Sequence, residues 1–101
     1  MKSTQVNLRN MRRSAALSER IRVLAEKLEG DDPRIMNCRV AIEALGKHQR
    51  HGRQYQVSVN VHVPGHEIMA NKHEDEDVYV ALRDAFAAVT RQLEETRDIR
   101  H

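Results

Sequence analysis

One amphipathic stretch constrains this chain more than any other. Between His73 and Leu93, the residues Val78, Leu82, Ala85, Phe86, Val89 and Leu93 recur at i, i+4, i+7, i+8, i+11 and i+15. At helical spacing they form a single apolar stripe on an otherwise polar surface. About 20 helical residues make a rod of about 30 Å, as long as a small domain is wide, so this face requires a sheet or a helix pair beneath it. The acidic run Glu74, Asp75, Glu76, Asp77 stands where the first turn is expected. Carboxylates there cap free N–H groups and meet the positive end of the helix dipole.

The rest of the chain supplies the partner. Gln5 to Arg9 alternates as a half-buried strand does, with Val6 and Leu8 expected to face the core. Asn10-Met11-Arg12-Arg13 breaks that pattern, and Ser14 suits an N-cap. Leu17, Ile21, Leu24 and Leu28 then mark a helix, with Gly30 placed to end it at a left-handed position and Asp31-Asp32-Pro33 to turn the chain. From Ile35 to Leu45 the period becomes two, which puts Met36, Cys38, Val40, Ile42 and Ala44 on one face. Gly46 to Arg53 holds no apolar residue and reads as a solvated hairpin loop. Tyr55, Val57, Val59, Val61 and Val63 alternate with polar residues as a third strand, Pro64-Gly65 suits a tight turn, and Glu67 to Asn71 returns as a fourth.

The order is β-α-β-β-β-α, and the fold class is α+β. A helix between strands one and two permits a parallel, right-handed crossover, while the short later connections imply antiparallel pairing. Two one-striped helices and four one-faced strands are best satisfied by a four-stranded sheet with both helices packed on one face. The other face is left wet and carries Arg39, Glu43, Gln56, Ser58, Asn60 and His62. At 101 residues this is one domain spanning 1–101, with an ordered core over about 4–96 and a C-terminal tail from 97.

Catalytic and metal chemistry find little support. The six histidines are dispersed, and the single cysteine, Cys38, alternates into the core, whereas structural zinc wants four converging ligands, usually with thiolates. No phosphate loop, nucleophile elbow or His-Glu-x-x-His pair is present. Neither a catalytic residue nor a cofactor is expected. Gripping single-stranded nucleic acid by base stacking needs exposed aromatic platforms, and with only Tyr55, Tyr79 and Phe86 as aromatics that mode is disfavoured. No apolar run reaches the length of a membrane span and Met1 to Gln5 has no signal-peptide core, so the expected location is the cytoplasm.

The positive charges carry more information, because the net charge of +2 is small and local clustering must decide. Arg13, Arg20 and Lys27 are seven residues apart, which on a helix keeps them on one flank at about 10 Å intervals. Lys47, Arg50 and Arg53 gather on the hairpin loop, and Arg9, Arg12 and Arg13 precede the first helix. Such a surface suits phosphate contacts, which supply affinity without reading sequence. Glu19, Glu26 and Glu29 dilute it.

Val61-His62-Val63-Pro64-Gly65-His66-Glu67-Ile68, then His73 through Leu82 with its Asp-Val-Tyr helix start, and Arg91-Gln92-Leu93-Glu94 together resemble the ribosome hibernation-promoting factor family, also called the ribosome-associated inhibitor or sigma-54 modulation family. Asn10-Met11, Lys27-Leu28-Glu29 and the strand from Ile35 extend the likeness over nearly the whole chain. The resemblance implies a fold related to double-stranded RNA-binding domains. It also implies a non-enzymatic role: binding small-subunit ribosomal RNA where messenger RNA and the A- and P-site transfer RNAs would sit, so that translation stops under stress or in stationary phase. Lys27 and Arg91 match basic positions that the family uses against RNA, whereas Leu24, Gly30, Ala88 and Glu95 stand where Lys or Arg is common. Set beside the long members, which carry a C-terminal dimerisation domain, the resemblance implies a short form. The candidate RNA-binding set is therefore Arg12, Arg13, Arg20, Lys27, Lys47, Arg50, Arg53 and Arg91. The expected partner is the small ribosomal subunit with its rRNA; no membrane, small-molecule substrate or obligate oligomer is expected. The alternative is a protein-binding regulatory module that uses the exposed sheet face or the edge of the fourth strand.

Overall fold

The computed structural model describes residues 3–45 and 54–99. Its elements are β1 (Ser3–Arg9), α1 (Ala15–Asp31), β2 (Asn37–Leu45), β3 (Gln54–Val63), β4 (His66–Asp75) and α2 (Val78–Ile99). The four strands form one sheet in the order β1-β2-β3-β4. β1 runs parallel to β2, with Val6 opposite Val40, and the other two pairings are antiparallel.

Alternation decides which face is buried. Cys38, Val40, Ile42 and Ala44 of β2 point the same way as Val57, Val59, Val61 and Val63 of β3 and Ile68 and Ala70 of β4, and all are buried. Against them lie Leu17, Ile21, Ala25 and Leu28 of α1 and Ala81, Leu82, Ala85, Phe86, Val89 and Leu93 of α2, in one continuous core. α2 covers β3 and β4, and α1 meets β1 and α2. Both helices therefore share one face of the sheet, as the one-sided pattern requires.

Local chemistry sets the element ends. Ser14 caps α1: its Oγ accepts the Leu17 N–H at 3.1 Å and its carbonyl accepts the Ser18 N–H at 3.0 Å. The expected stop at Gly30 is not used. The helix runs on to Asp31, and Asp32 ends it in extended backbone, its N–H donating to the Leu28 carbonyl at 3.0 Å. Gly65, at φ +84°, does take the left-handed position in the β3–β4 turn, which glycine adopts at no steric cost. Met36, expected inward, is 54% exposed, while Ile35 is buried. The chain joins the sheet only where the Met36 N–H donates to the His62 carbonyl at 2.8 Å, so the alternation starts after it. Val6 shares the inner face but is largely exposed, because β1 is an edge strand.

The largest departure lies at the second helix. β4 does not stop at Asn71 but continues to Asp75, and α2 begins at Val78. The cause is a bulge: Val59 pairs with Ala70 and Val57 with His73, so β4 spends one more residue than β3 over that interval. Beyond it the inward parity of β4 reverses. Glu74 and Asp75 are thus strand residues, and Glu74 accepts a hydrogen bond from Gln56 Nε2 at 3.0 Å. Of the acidic run only Asp77 caps the helix, its Oδ1 accepting the Tyr79 N–H at 2.8 Å. α2 also extends through Ile99, past the boundary expected at residue 96.

One buried polar cluster ties the C-terminal ends of the two helices together. The Asp32 side chain is 3% exposed and that of Arg34 21%. Arg34 donates from Nε to Asp32 Oδ1 at 2.9 Å and from Nη2 to Asp32 Oδ2 at 2.7 Å. The same Nη2 reaches the Leu93 carbonyl and Thr96 Oγ1, both at 3.2 Å, on α2. The Arg34 guanidinium holds the Asp32 carboxyl below the usual carboxylate range.

Candidate nucleic-acid interface

Strands β1, β2 and β4 point in one direction and both helices return against it, so the N-termini of α1 and α2 and the β1–α1 connection share one end of the domain. That end collects cations. Arg12 and Arg13 lie exposed in the connection, where Asn10 adopts φ 59° and donates from Nδ2 to the Ala44 carbonyl at 3.5 Å. Arg12 sits beside Tyr55 at the end of β3.

Arg13 is not on the helical flank assigned to it. It precedes the Ser14 cap, so helical phase does not carry it onto the line of Arg20 and Lys27. It borders a depression formed by Asn7 and Leu8 of β1 and Ser18 of α1. Arg20 instead lines the groove between α1 and α2, together with Val23, Leu24, Tyr79, Val80 and Arg83.

The acids on α1 dilute this surface unevenly. Glu19 and Glu26 both turn onto Arg22, with Arg22 Nη1 donating to Glu26 Oε2 at 2.8 Å and Arg22 Nη2 to Glu19 Oε2. Arg22 holds the Glu19 carboxyl below its ordinary range, and the two acids push the Arg22 guanidinium pKa up. Glu29 accepts from Thr4 Oγ1 at 3.4 Å. Lys27 keeps only a loose pair with Asp31 at 3.6 Å, in which both side chains are mostly exposed; such pairs are worth little. Among the described residues Arg12, Arg13, Arg20 and Arg91 have no ion-pair partner, so their charge is open to an anion.

Lys47, Arg50 and Arg53 lie outside the described residues, in the β2–β3 connection. Arg91 is exposed on α2. Ala88, matched to a family cation, is buried, so that position faces the core rather than a ligand. Sequence reasoning missed Tyr79 and Arg83. Their one-turn spacing off the apolar stripe was the available signal: an aromatic and a guanidinium on adjacent turns of an exposed face.

Among the described residues no three His, Cys, Asp or Glu side chains converge on a metal-sized site. Burial pushes the Cys38 thiol up to about 12, which keeps it protonated. Among those residues, too, no helix is long and apolar enough to cross a membrane.

The fold has solved counterparts. A ribosomal subunit interface protein from Coxiella burnetii superposes with a TM-score of 0.80 at 21% identity, covering 95% of this chain and 98% of that one. The N-terminal domain of Protein Y from Thermus thermophilus gives 0.77 at 18% identity, over 95% and 99%. No curated protein matches the chain significantly. The family model described as sigma 54 modulation protein / S30EA ribosomal protein matches residues 4–101, almost the entire sequence, and the chain belongs to that family.

Proposed function

We propose that this protein associates with the ribosome as a hibernation factor, its helical face binding small-subunit ribosomal RNA and obstructing the region for messenger RNA and A- and P-site transfer RNA. Family membership supports the ribosome as partner, and the Coxiella neighbour is itself named a ribosomal subunit interface protein. The observation that carries the reading is the distribution of charge on α1. Arg22 absorbs Glu19 and Glu26, while Arg20, two residues earlier, stays unpaired and shares a groove with Arg83 of α2. A rigid two-helix face with open guanidinium groups is suited to phosphates. Arg12, Arg13, Arg20, Lys27 and Arg91 belong to this contact surface, with Lys47, Arg50 and Arg53 assigned to it from the sequence. The role needs occupancy alone: no bond is made or broken.

Sedimentation with purified ribosomes tests it. Five phosphate contacts imply that affinity falls about a hundredfold or more between 50 and 200 mM salt. The double reversal Arg20→Glu, Lys27→Glu should weaken co-sedimentation and lessen inhibition of in-vitro translation while leaving the unfolding midpoint within the range of ordinary surface changes. A wild-type protein that stays soluble at low salt and leaves peptide synthesis untouched at large molar excess rejects the proposal. Retention of a defined protein after nuclease treatment, without rRNA, supports the protein-binding alternative instead.

A further inference from the structure

Two large apolar side chains that the core leaves in solvent, Val23 at 42% and Tyr79 at 41% exposure, line the same groove. Exposed apolar groups are ordinary on their own, but here two adjoin in a shallow depression that is also bordered by guanidinium groups. Arg20 borders the groove along its length, and Arg83 stands where Leu24 and Val80 contribute further apolar surface. Glu19 also borders it, but its carboxylate is turned to Arg22. Arg83 donates to its neighbour Asp84 at 3.2 and 3.3 Å, an exposed pair that an incoming phosphate displaces at small cost. Tyr79 is the most exposed of the chain's three aromatics: Phe86 is buried and Tyr55 half-buried.

We propose that this groove is a nucleobase subsite, in which one unstacked base of ribosomal RNA lies against Tyr79, Val23 and Leu24 while Arg20 and Arg83 pair with the flanking phosphates. This rests on the ribosome-binding reading above and adds to it a specific seat. A bare phosphate run is served by cations alone and gains nothing from an aromatic wall. An apolar protein segment gains nothing from two guanidinium groups. A nucleotide extruded from its helix presents a flat π-face and an anion together, and single-stranded RNA is gripped through both. The side chain of Tyr79 takes no part in its helix cap, which uses only its backbone N–H, so the ring is free to serve a ligand.

Ribosome affinity and its salt dependence are measured for wild type, Tyr79→Phe, Tyr79→Leu, Arg20→Gln and Arg83→Gln, each first checked for an unchanged thermal midpoint. Loss of a stacked base weakens Tyr79→Leu by about 5- to 150-fold with the salt slope unchanged, whereas Tyr79→Phe, which keeps the ring, stays within about twofold of wild type. Each Arg→Gln variant lowers the salt slope by about one. Tyr79→Leu binding as tightly as wild type assigns the groove to an apolar protein contact or to none, and overturns the subsite while ribosome binding stands. Wild type that fails to bind ribosomes overturns the functional reading itself.

Discussion

Removing the guanidinium of Arg34 while keeping its stem, as in Arg34→Met, isolates the contribution of the one buried ion pair among the described residues. The substitution deletes two hydrogen bonds to Asp32, at 2.9 and 2.7 Å, and two to α2, at 3.2 Å each. What remains to the 3%-exposed carboxylate is the backbone N–H of residue 34, at 3.1 Å in the native chain. Stranding one partner of a buried pair costs about 3–5 kcal/mol, and the 21% exposure of Arg34, which admits water, lowers the expectation to about 2–4 kcal/mol. For a domain of this size that moves the thermal midpoint by at least about 8 °C. Urea unfolding followed by far-ultraviolet circular dichroism reads the change, with an unaltered m-value. The pH dependence gives a second signature. In the native protein Asp32 titrates below its unfolded value of about 4, so its stabilisation is present above that value and is lost as pH falls through the folded one. In Arg34→Met the desolvated, unpaired carboxyl titrates high, so the gap between variant and wild type narrows on acidification. Adding Asp32→Asn removes the stranded charge and recovers part of the loss. A deficit under about 0.5 kcal/mol at pH 7, or a double variant no more stable than the single one, refutes the assignment.

Two further outcomes follow from the same contacts. Asp77→Ala costs about 1 kcal/mol because a helix cap is lost, whereas Glu76→Ala falls within the scatter of surface changes; equal costs for the two in urea denaturation count against the observed start of α2. Cys38, 1% exposed and with its thiol pushed up to about 12, reacts with an aromatic disulfide reagent at pH 8 only as fast as the domain opens; prompt labelling of the native protein contradicts its placement.

The architecture was legible because its determinants are local. Period-two runs in β2 and β3 and helical stripes in α1 and α2 each name a buried face, and one-sided elements have few ways to close on one another. Ser14 and Gly65 were legible for the same reason, since a cap and a positive-φ turn depend on the residue itself. Arg13 was misplaced for a local reason, since it precedes the Ser14 cap, but the misreadings at Gly30 and Met36 depended on partners distant in sequence. Gly30 was a sound local stop, but Arg34 offers Asp32 a better one through contacts that reach Leu93 and Thr96. Met36 followed the alternation of its strand, yet pairing begins one residue later, where His62 sets the register. The groove was invisible for a similar reason: Arg20 and Tyr79 are far apart in sequence, and only the sheet brings their helices side by side.

The bulge in β4 links these levels. Without the extra residue opposite Ser58, alternation from Ile68 and Ala70 would carry Glu74 inward and leave Asp75 on the wet face. With it, Asp75 shares the inner side with Tyr55, the side on which α2 must lie. The chain therefore leaves the sheet already turned toward the core. Asp75 Oδ1 accepts the Asp77 N–H at 2.9 Å, and Asp77 in turn caps the Tyr79 N–H. Two consecutive carboxylate turns thus fix where α2 begins and so where Tyr79 and Arg83 stand relative to Arg20. The acidic run that invited a simple capping interpretation is divided by that one residue: Glu74 bonds across the strands, Asp75 shapes the turn and Asp77 caps the helix. The groove depends on this division of roles.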